Sequence, residues 1–418
     1  MFRYRSHAIL LLACTLAVSF DAACELAAAP SGHQERLSYT ARGPTRTGID
    51  VLEQENFASL RGKRLGLVTN QTGVDSLGRR TIDVLAHAPG VRLMALFSPE
   101  HGISGKVDET VEDSRDPATH LPIYSLFGKT RRPTPEMLQD LDALVFDVQD
   151  AGVRFYTYIT TMAYCMEAAA QGHRSFIVLD RPDPLGGEVI EGPMLDRDRT
   201  SFVGYFPMPV RYAMTLGELA RMFNAENKIG ADLRVVAMKN WRRGETYGRT
   251  GLGWIPPSPN LRTLKATFLY PGIEILQAAG VSVGRGTQAP FEILGAPWIH
   301  AAELASALNA RRLPGVSFAP AKFTPREAPY KDEHCEGLRI DLSDSNAFRS
   351  MRIGFEIADV LNRLYPQQFH AEKMIALLGS SSAVERLSHG DAPAQIVAGW
   401  SSGLAQFGQM REKYFLYR

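Results

Sequence analysis

Five short runs constrain this chain more than anything else in it. Residues 64–69, 91–97, 143–148, 175–179 and 233–238 are apolar almost throughout, and helix-patterned stretches separate them. A strand with one face in water alternates apolar and polar residues; a continuously apolar one is buried on both sides. Strands of that kind interleaved with helices predict an α/β fold, a mostly parallel sheet with helices on both faces. Local signals agree. Thr134-Pro135-Glu136 reads as an N-cap followed by proline at the first helical position, Thr215 to Glu218 as a capping box, and Gly172 as a helix stop.

The texture changes after Trp254. Pro256-Pro257-Ser258-Pro259-Asn260 is rigid and irregular, a boundary or a pocket wall. A helix over 301–311, strands over 316–323 and 337–342, and helices over 348–364 and 397–413 predict a smaller α+β C-terminal domain. The expected division is 48–255 and 256–418. Ahead of it, Arg3 and Arg5 precede an apolar run from Ala8 to Phe20 and then small residues, the order of a secretory signal over 1–30. A flexible leader over 31–47 follows. Export to the periplasm or the cell exterior is expected, with a membrane anchor only if Cys24 is lipidated; Asp21 departs from the apolar residue that precedes such a cysteine. Cys165, set among Met162, Ala163 and Met166, reads as a buried free thiol rather than a partner of Cys335.

In a parallel sheet, ligands bind outside the carboxyl ends of the strands. Successive strand exits here carry Asn70-Gln71, Glu100-His101, Gln149-Asp150 and Asp180-Arg181. Four polar exits along one edge predict one site. With 46 Lys and Arg against 45 Asp and Glu, the chain has no excess of charge to gather nucleic acid. No Gly-Lys-Ser/Thr phosphate loop, dinucleotide fingerprint or Gly-x-Ser-x-Gly elbow follows a strand, so no cofactor is expected. The inventory is instead carboxylates (Glu100, Asp147, Asp150, Asp180), Arg154, amides, and Tyr156 and Tyr158. Glycosidic cleavage asks for such a set: one acid protonates the leaving oxygen, and a second carboxylate serves as base or nucleophile. Two other classes stay open on these residues. One is a metal-dependent hydrolase of a cell-envelope substrate, using Asp147, Asp150, His101 and Asp180. The other is a non-catalytic receptor for cell-wall sugars.

Longer blocks then point to a family. Thr69 to Gly73, Phe97 to Gly102, Phe146 to Asp150 running into Arg154-Phe155-Tyr156-Thr157-Tyr158, Leu179 to Pro182, Pro256 to Asn260 and Gly284-Arg285-Gly286-Thr287 resemble the signature blocks of the NamZ-like exo-β-N-acetylmuramidases, over roughly residues 48–418. The resemblance implies a Rossmann-like domain with a smaller C-terminal domain closing a cleft. It also implies release of N-acetylmuramic acid (MurNAc) from non-reducing ends of peptidoglycan-derived sugars or muropeptides; the single histidine at the strand exits is a thin complement for zinc, so no metal is expected. The resemblance casts Glu100 as the catalytic acid, Asp150 as its partner and His101 as the residue that orients Glu100. Asn70, Gln71, Asp147, Arg154, Tyr156, Tyr158, Asp180, Arg181, Asn260, Arg285 and Glu292 then hold the sugar, an arginine gripping the lactyl carboxylate. One block departs from the family. Where members often carry Glu, Asn and a second Glu, this chain has Gln277, Gly280 and Val283, leaving Glu274 and Glu292 as nearby substitutes and Glu188 and Glu191 as further carboxylates.

Overall fold

In the computed structural model, which describes residues 43–106 and 110–418, the first apolar run becomes the middle of a sheet. Among the described residues, nine strands precede residue 240: β1 (Arg64–Thr69), β2 (Arg92–Ser98), β3 (Ser114–Arg115), β4 (Pro122–Ser125), β5 (Ala143–Asp147), β6 (Ser175–Leu179), β7 (Glu191–Met194), β8 (Pro209–Arg211) and β9 (Leu233–Val236). Seven of them form one sheet in the order β3-β4-β2-β1-β5-β6-β9. Every pairing is parallel except the two-residue edge β3, which runs antiparallel to β4. The chain builds leftward from β1 through β2, then crosses to the right through β5. The carboxyl ends of β1 and β5 therefore flank the point where strand order reverses, the crevice where open α/β sheets bind ligands.

The continuous apolar runs have their reason in the packing. Leu65, Leu67, Val145, Ile177 and Leu179 belong to one hydrophobic core, and Val68, Leu144, Phe146, Phe176 and Val178 to another, one on each face of the sheet. The long helix Tyr158–Gln171 and the helix Leu216–Glu226 cover the second face. At Leu216 the predicted capping box is present in both directions between Thr215 and Glu218.

The second core runs on without a break into the C-terminal part. There β10 (Ile293–Ala296), β11 (Val316–Phe323) and β12 (Cys335–Leu342) make an antiparallel sheet in the order β10-β12-β11. Helices Leu264–Ile273 and Ser350–Leu364 pack beside it, so close that a Cβ on Gly354 would lie 2.3 Å from the Gly272 carbonyl oxygen. Residues 43–418 form one compact unit.

Several local expectations need correction. Residues 43–47 are fixed rather than loose: the Thr45 N–H bonds the Thr250 carbonyl at 3.0 Å, and Thr47 caps the helix Gly48–Gln54. The helix expected over 397–413 is two, Pro393–Ala398 and Ser401–Glu412, parted at Gly399 and Trp400. The hairpin β7–β8 and the helices between 375 and 388 have no counterpart in the prediction. Cys165 and Cys335 are both buried free thiols. Among the described residues no helix is long and apolar enough to cross a membrane. The expected signal and residues 31–42 lie outside the described residues.

Candidate active site

The chain leaves β2 at Ser98, and His101 and Gly102 follow with φ of +70° and +73°. Two successive left-handed residues turn the backbone sharply, and for histidine that conformation costs about 1–2 kcal/mol. The bend presents Glu100 half-buried, its Oε2 accepting the Thr157 hydroxyl. Thr157 stands just before the helix Tyr158–Gln171, so the acid is braced by a second element.

Glu100, His101, Tyr156 and Thr157 line a cavity of about 200 Å³ together with Phe155, Val203, Ser258, Tyr270, Glu274, Arg285, Phe291 and Leu377. Half of this lining comes from beyond residue 255, so the two parts of the chain build the cavity jointly. Its walls are aromatic. Tyr270 sits edge-on to Phe155 at 5.4 Å, Tyr156 at 6.0 Å and Phe291 at 4.9 Å. Such a wall offers apolar ring faces to a sugar. Arg285 Nη2 donates to Glu274 Oε1 at 2.9 Å, and its guanidinium lies 5.6 Å from the centre of the Phe291 ring. Burial pushes the Tyr270 phenol well above its ordinary pKa; the Glu274 charge adds to this, Arg285 opposes it, and Glu100 and Asp150 add a little more.

Of the residues expected from the sequence, Glu100, His101, Tyr156 and Arg285 meet in the cavity. The others line other ground. Asp150 is 5% exposed; its Oδ2 accepts the Gly152 N–H at 2.7 Å and the Tyr212 hydroxyl, and burial raises its pKa to about 6. Asp147 is fully buried and held in two bonds by Arg181, Nε to Oδ1 at 2.6 Å and Nη2 to Oδ2 at 2.9 Å, so those two side chains spend their charge on each other. Asp180 is an internal cap: it accepts the Thr215 hydroxyl at 2.7 Å, the Gly217 N–H at 2.8 Å and the Tyr417 hydroxyl at 2.6 Å. Arg154, fully buried, spends its donors on the carbonyls of Pro193, Met208, Leu377 and Leu378, and burial lowers its pKa to about 9.

Asn70 and Gln71 also face protein. The Asn70 amide donates to the Tyr158 hydroxyl at 2.9 Å, that hydroxyl donates to the Pro257 carbonyl at 2.6 Å, and Gln71 Nε2 donates to the Pro256 carbonyl at 2.7 Å. These three residues clamp the proline-rich turn whose Ser258 reaches the cavity. Asn260 is buried in that turn. Glu292 accepts the Thr263 hydroxyl at 2.7 Å and pairs with Lys265 at 3.1 Å. The four side chains weighed as metal ligands do not converge, and among the described residues no group of three or more His, Cys, Asp or Glu is placed to hold an ion.

The sequence assigns no role to Tyr270 or Phe291, places Ser258 in the stretch read as a boundary or pocket wall, and offers Glu274 only as a substitute. The signal for Glu274 is its surroundings: Ile273, Ile275 and Leu276 are apolar and buried, and a carboxylate belongs there only if something charged meets it. Gln277, Gly280 and Val283, the departures from the family pattern, do not line the cavity.

Comparison with known proteins completes the picture. Residues 65–265 match the profile of the N-terminal part of the exo-β-N-acetylmuramidase NamZ, and residues 268–417 that of its C-terminal part. The chain is 42% identical over 395 residues to the peptidoglycan β-N-acetylmuramidase NamZ of Bacillus subtilis, covering 93% of this chain and 95% of that one. Two crystal structures of DUF1343 family proteins from Bacteroides fragilis share the fold. One has a TM-score of 0.84 at 42% identity and the other 0.75 at 30%, each covering 90% of this chain and 99% of its own. Matched along both halves and at this identity, the chain belongs to the NamZ exo-β-N-acetylmuramidase family.

Proposed function

We propose that this protein is an exo-acting glycoside hydrolase that releases MurNAc from the non-reducing ends of peptidoglycan fragments. The observation that carries the reading is the cavity itself: two glutamates, an arginine and an aromatic wall around a space of about 200 Å³. That is room on the scale of one substituted sugar rather than a chain of them, which suits cutting from an end. The name borne by the Bacillus subtilis relative supports the same substrate.

Glu100 serves as the acid, passing its proton to the glycosidic oxygen as the bond to C1 breaks. Thr157 fixes its orientation, and His101 shapes the bend that presents it. Arg285, within reach of the cavity, suits the lactyl carboxylate that distinguishes MurNAc from GlcNAc. The signal-like segment over 1–30 supports work outside the cytoplasm, where the substrate lies.

The test is to offer an aryl β-MurNAc and an aryl β-GlcNAc to the wild type and to Glu100→Gln. Release of the aryl group from the MurNAc compound alone is expected. Loss of the acid should slow it by roughly 10²–10⁴-fold, the usual worth of positioned acid catalysis. Equal rates for the two proteins would remove Glu100 from the mechanism.

A further inference from the structure

Glycosidic hydrolysis by two carboxylates needs a partner for Glu100, and Asp150, the partner that the family resemblance implies, does not line the cavity. We infer that Glu274 is that second catalytic carboxylate, and that Arg285 is the residue that positions it. The inference rests on the hydrolase reading above and adds to it the group that acts at C1.

Three observations lead there. Among the described residues lining the cavity, the carboxylates are Glu100 and Glu274. The cavity they share is about 200 Å³, room for one sugar ring, and glycosidases set their two carboxyl groups to either side of the scissile bond. Lastly, Glu274 opens the short 3-10 segment Glu274–Ala279, where its neighbours are apolar and its own exposure is 8%. Keeping a charge in such a turn is costly. The Arg285 bond at 2.9 Å offsets the cost and fixes one carboxylate oxygen.

In the step itself, Glu100 gives its proton to the leaving oxygen and the C1–O bond breaks. The Glu274 carboxylate then either bonds C1 directly, water later displacing it while Glu100 takes the water proton, or takes a proton from water as that water bonds C1. Both routes balance with water as the sole co-reactant, and both put Glu274 on the face of the sugar opposite the leaving group.

The experiment uses the full chain with an activated aryl β-MurNAc. Glu274→Ala is expected to lose roughly 10²–10⁴-fold in kcat with little change in KM. Added azide should restore turnover and yield the α-glycosyl azide, since the small anion fills the gap on that face. Glu274→Gln keeps the shape and serves if the alanine variant does not fold: the same loss in kcat with an unchanged melting temperature is expected. A Glu274→Gln protein that keeps more than a tenth of the wild-type kcat overturns the inference. So does an alanine variant that folds, is slow, and gives no α-azide. Neither result touches the wider reading, which fails instead if the wild type releases nothing from the MurNAc substrate.

Discussion

Asp183 is 3% exposed, with Oδ1 accepting the Leu185 N–H at 2.9 Å. Burial pushes its pKa up to about 7; the Leu185 bond and Arg211 pull the other way, and the Asp150 and Glu218 charges push with it. A carboxyl raised above its unfolded value of about 3.9 is better tolerated protonated, so its contribution to stability is complete below that value and lost as pH climbs through the folded one. Asp150 and Asp180, each raised to about 6 by burial, act in the same direction. Asp183→Asn should therefore melt roughly 2–4 °C above the wild type near pH 8 and keep only part of that advantage near pH 5, as read by thermal denaturation across that range. An equal gap at both pH values would mean that the carboxyl is not titrating in the fold. Sequence is poorly placed to see this scale. Asp147, Asp150, Asp180 and Arg181 carry the same letters whether they meet a sugar or each other, and only the fold shows that Arg181 closes on Asp147 and Tyr417 on Asp180.

The elements were far more legible than their side-chain partners. A strand packed on both faces writes its pattern into consecutive residues, so β1, β5 and β6 fall where the apolar runs stand, and β11 spans the expected 316–323. Short or edge elements leave no such trace: β3 has two exposed residues, and β7 pairs with β8 across an irregular register. The site divides along the same line. Glu100 and His101 were visible because a strand ends beside them, whereas Glu274 depends on a helix being delivered from the other part of the chain. That delivery relies on the close crossing of Leu264–Ile273 with Ser350–Leu364, where the Gly272 N–H also bonds the Ser350 hydroxyl at 2.9 Å. Gly354→Ala should push these helices apart at a cost of about 1–3 kcal/mol, visible in urea unfolding. Because Glu274 directly follows the displaced helix, its kcat should fall as well. Wild-type stability in that variant would show the contact to be looser than its geometry.

Across the whole molecule, one hydrophobic core joins the parallel sheet to the C-terminal elements, and Tyr417 comes back to pack beside the exits of β6 and β9. Tyr417 stacks edge-on with Trp241 at 5.1 Å, and its hydroxyl both accepts the Met238 N–H at 2.9 Å and donates to Asp180. Leu416 bonds Glu218, which also pairs with Arg243. Calorimetry should accordingly record a single unfolding transition. Tyr417→Phe, which takes the acceptor from the Met238 N–H and one of two hydroxyls from Asp180 Oδ2, should lower stability by about 1–3 kcal/mol while keeping that single transition. Two resolved transitions in the wild type would separate what the shared core joins.

The position of that tyrosine also bears on what can be cut away. A chain shortened to end before residue 417 keeps every strand of the parallel sheet and still loses the latch on the exit of β6. Trimming there loosens the fold from a distance, by way of one hydroxyl.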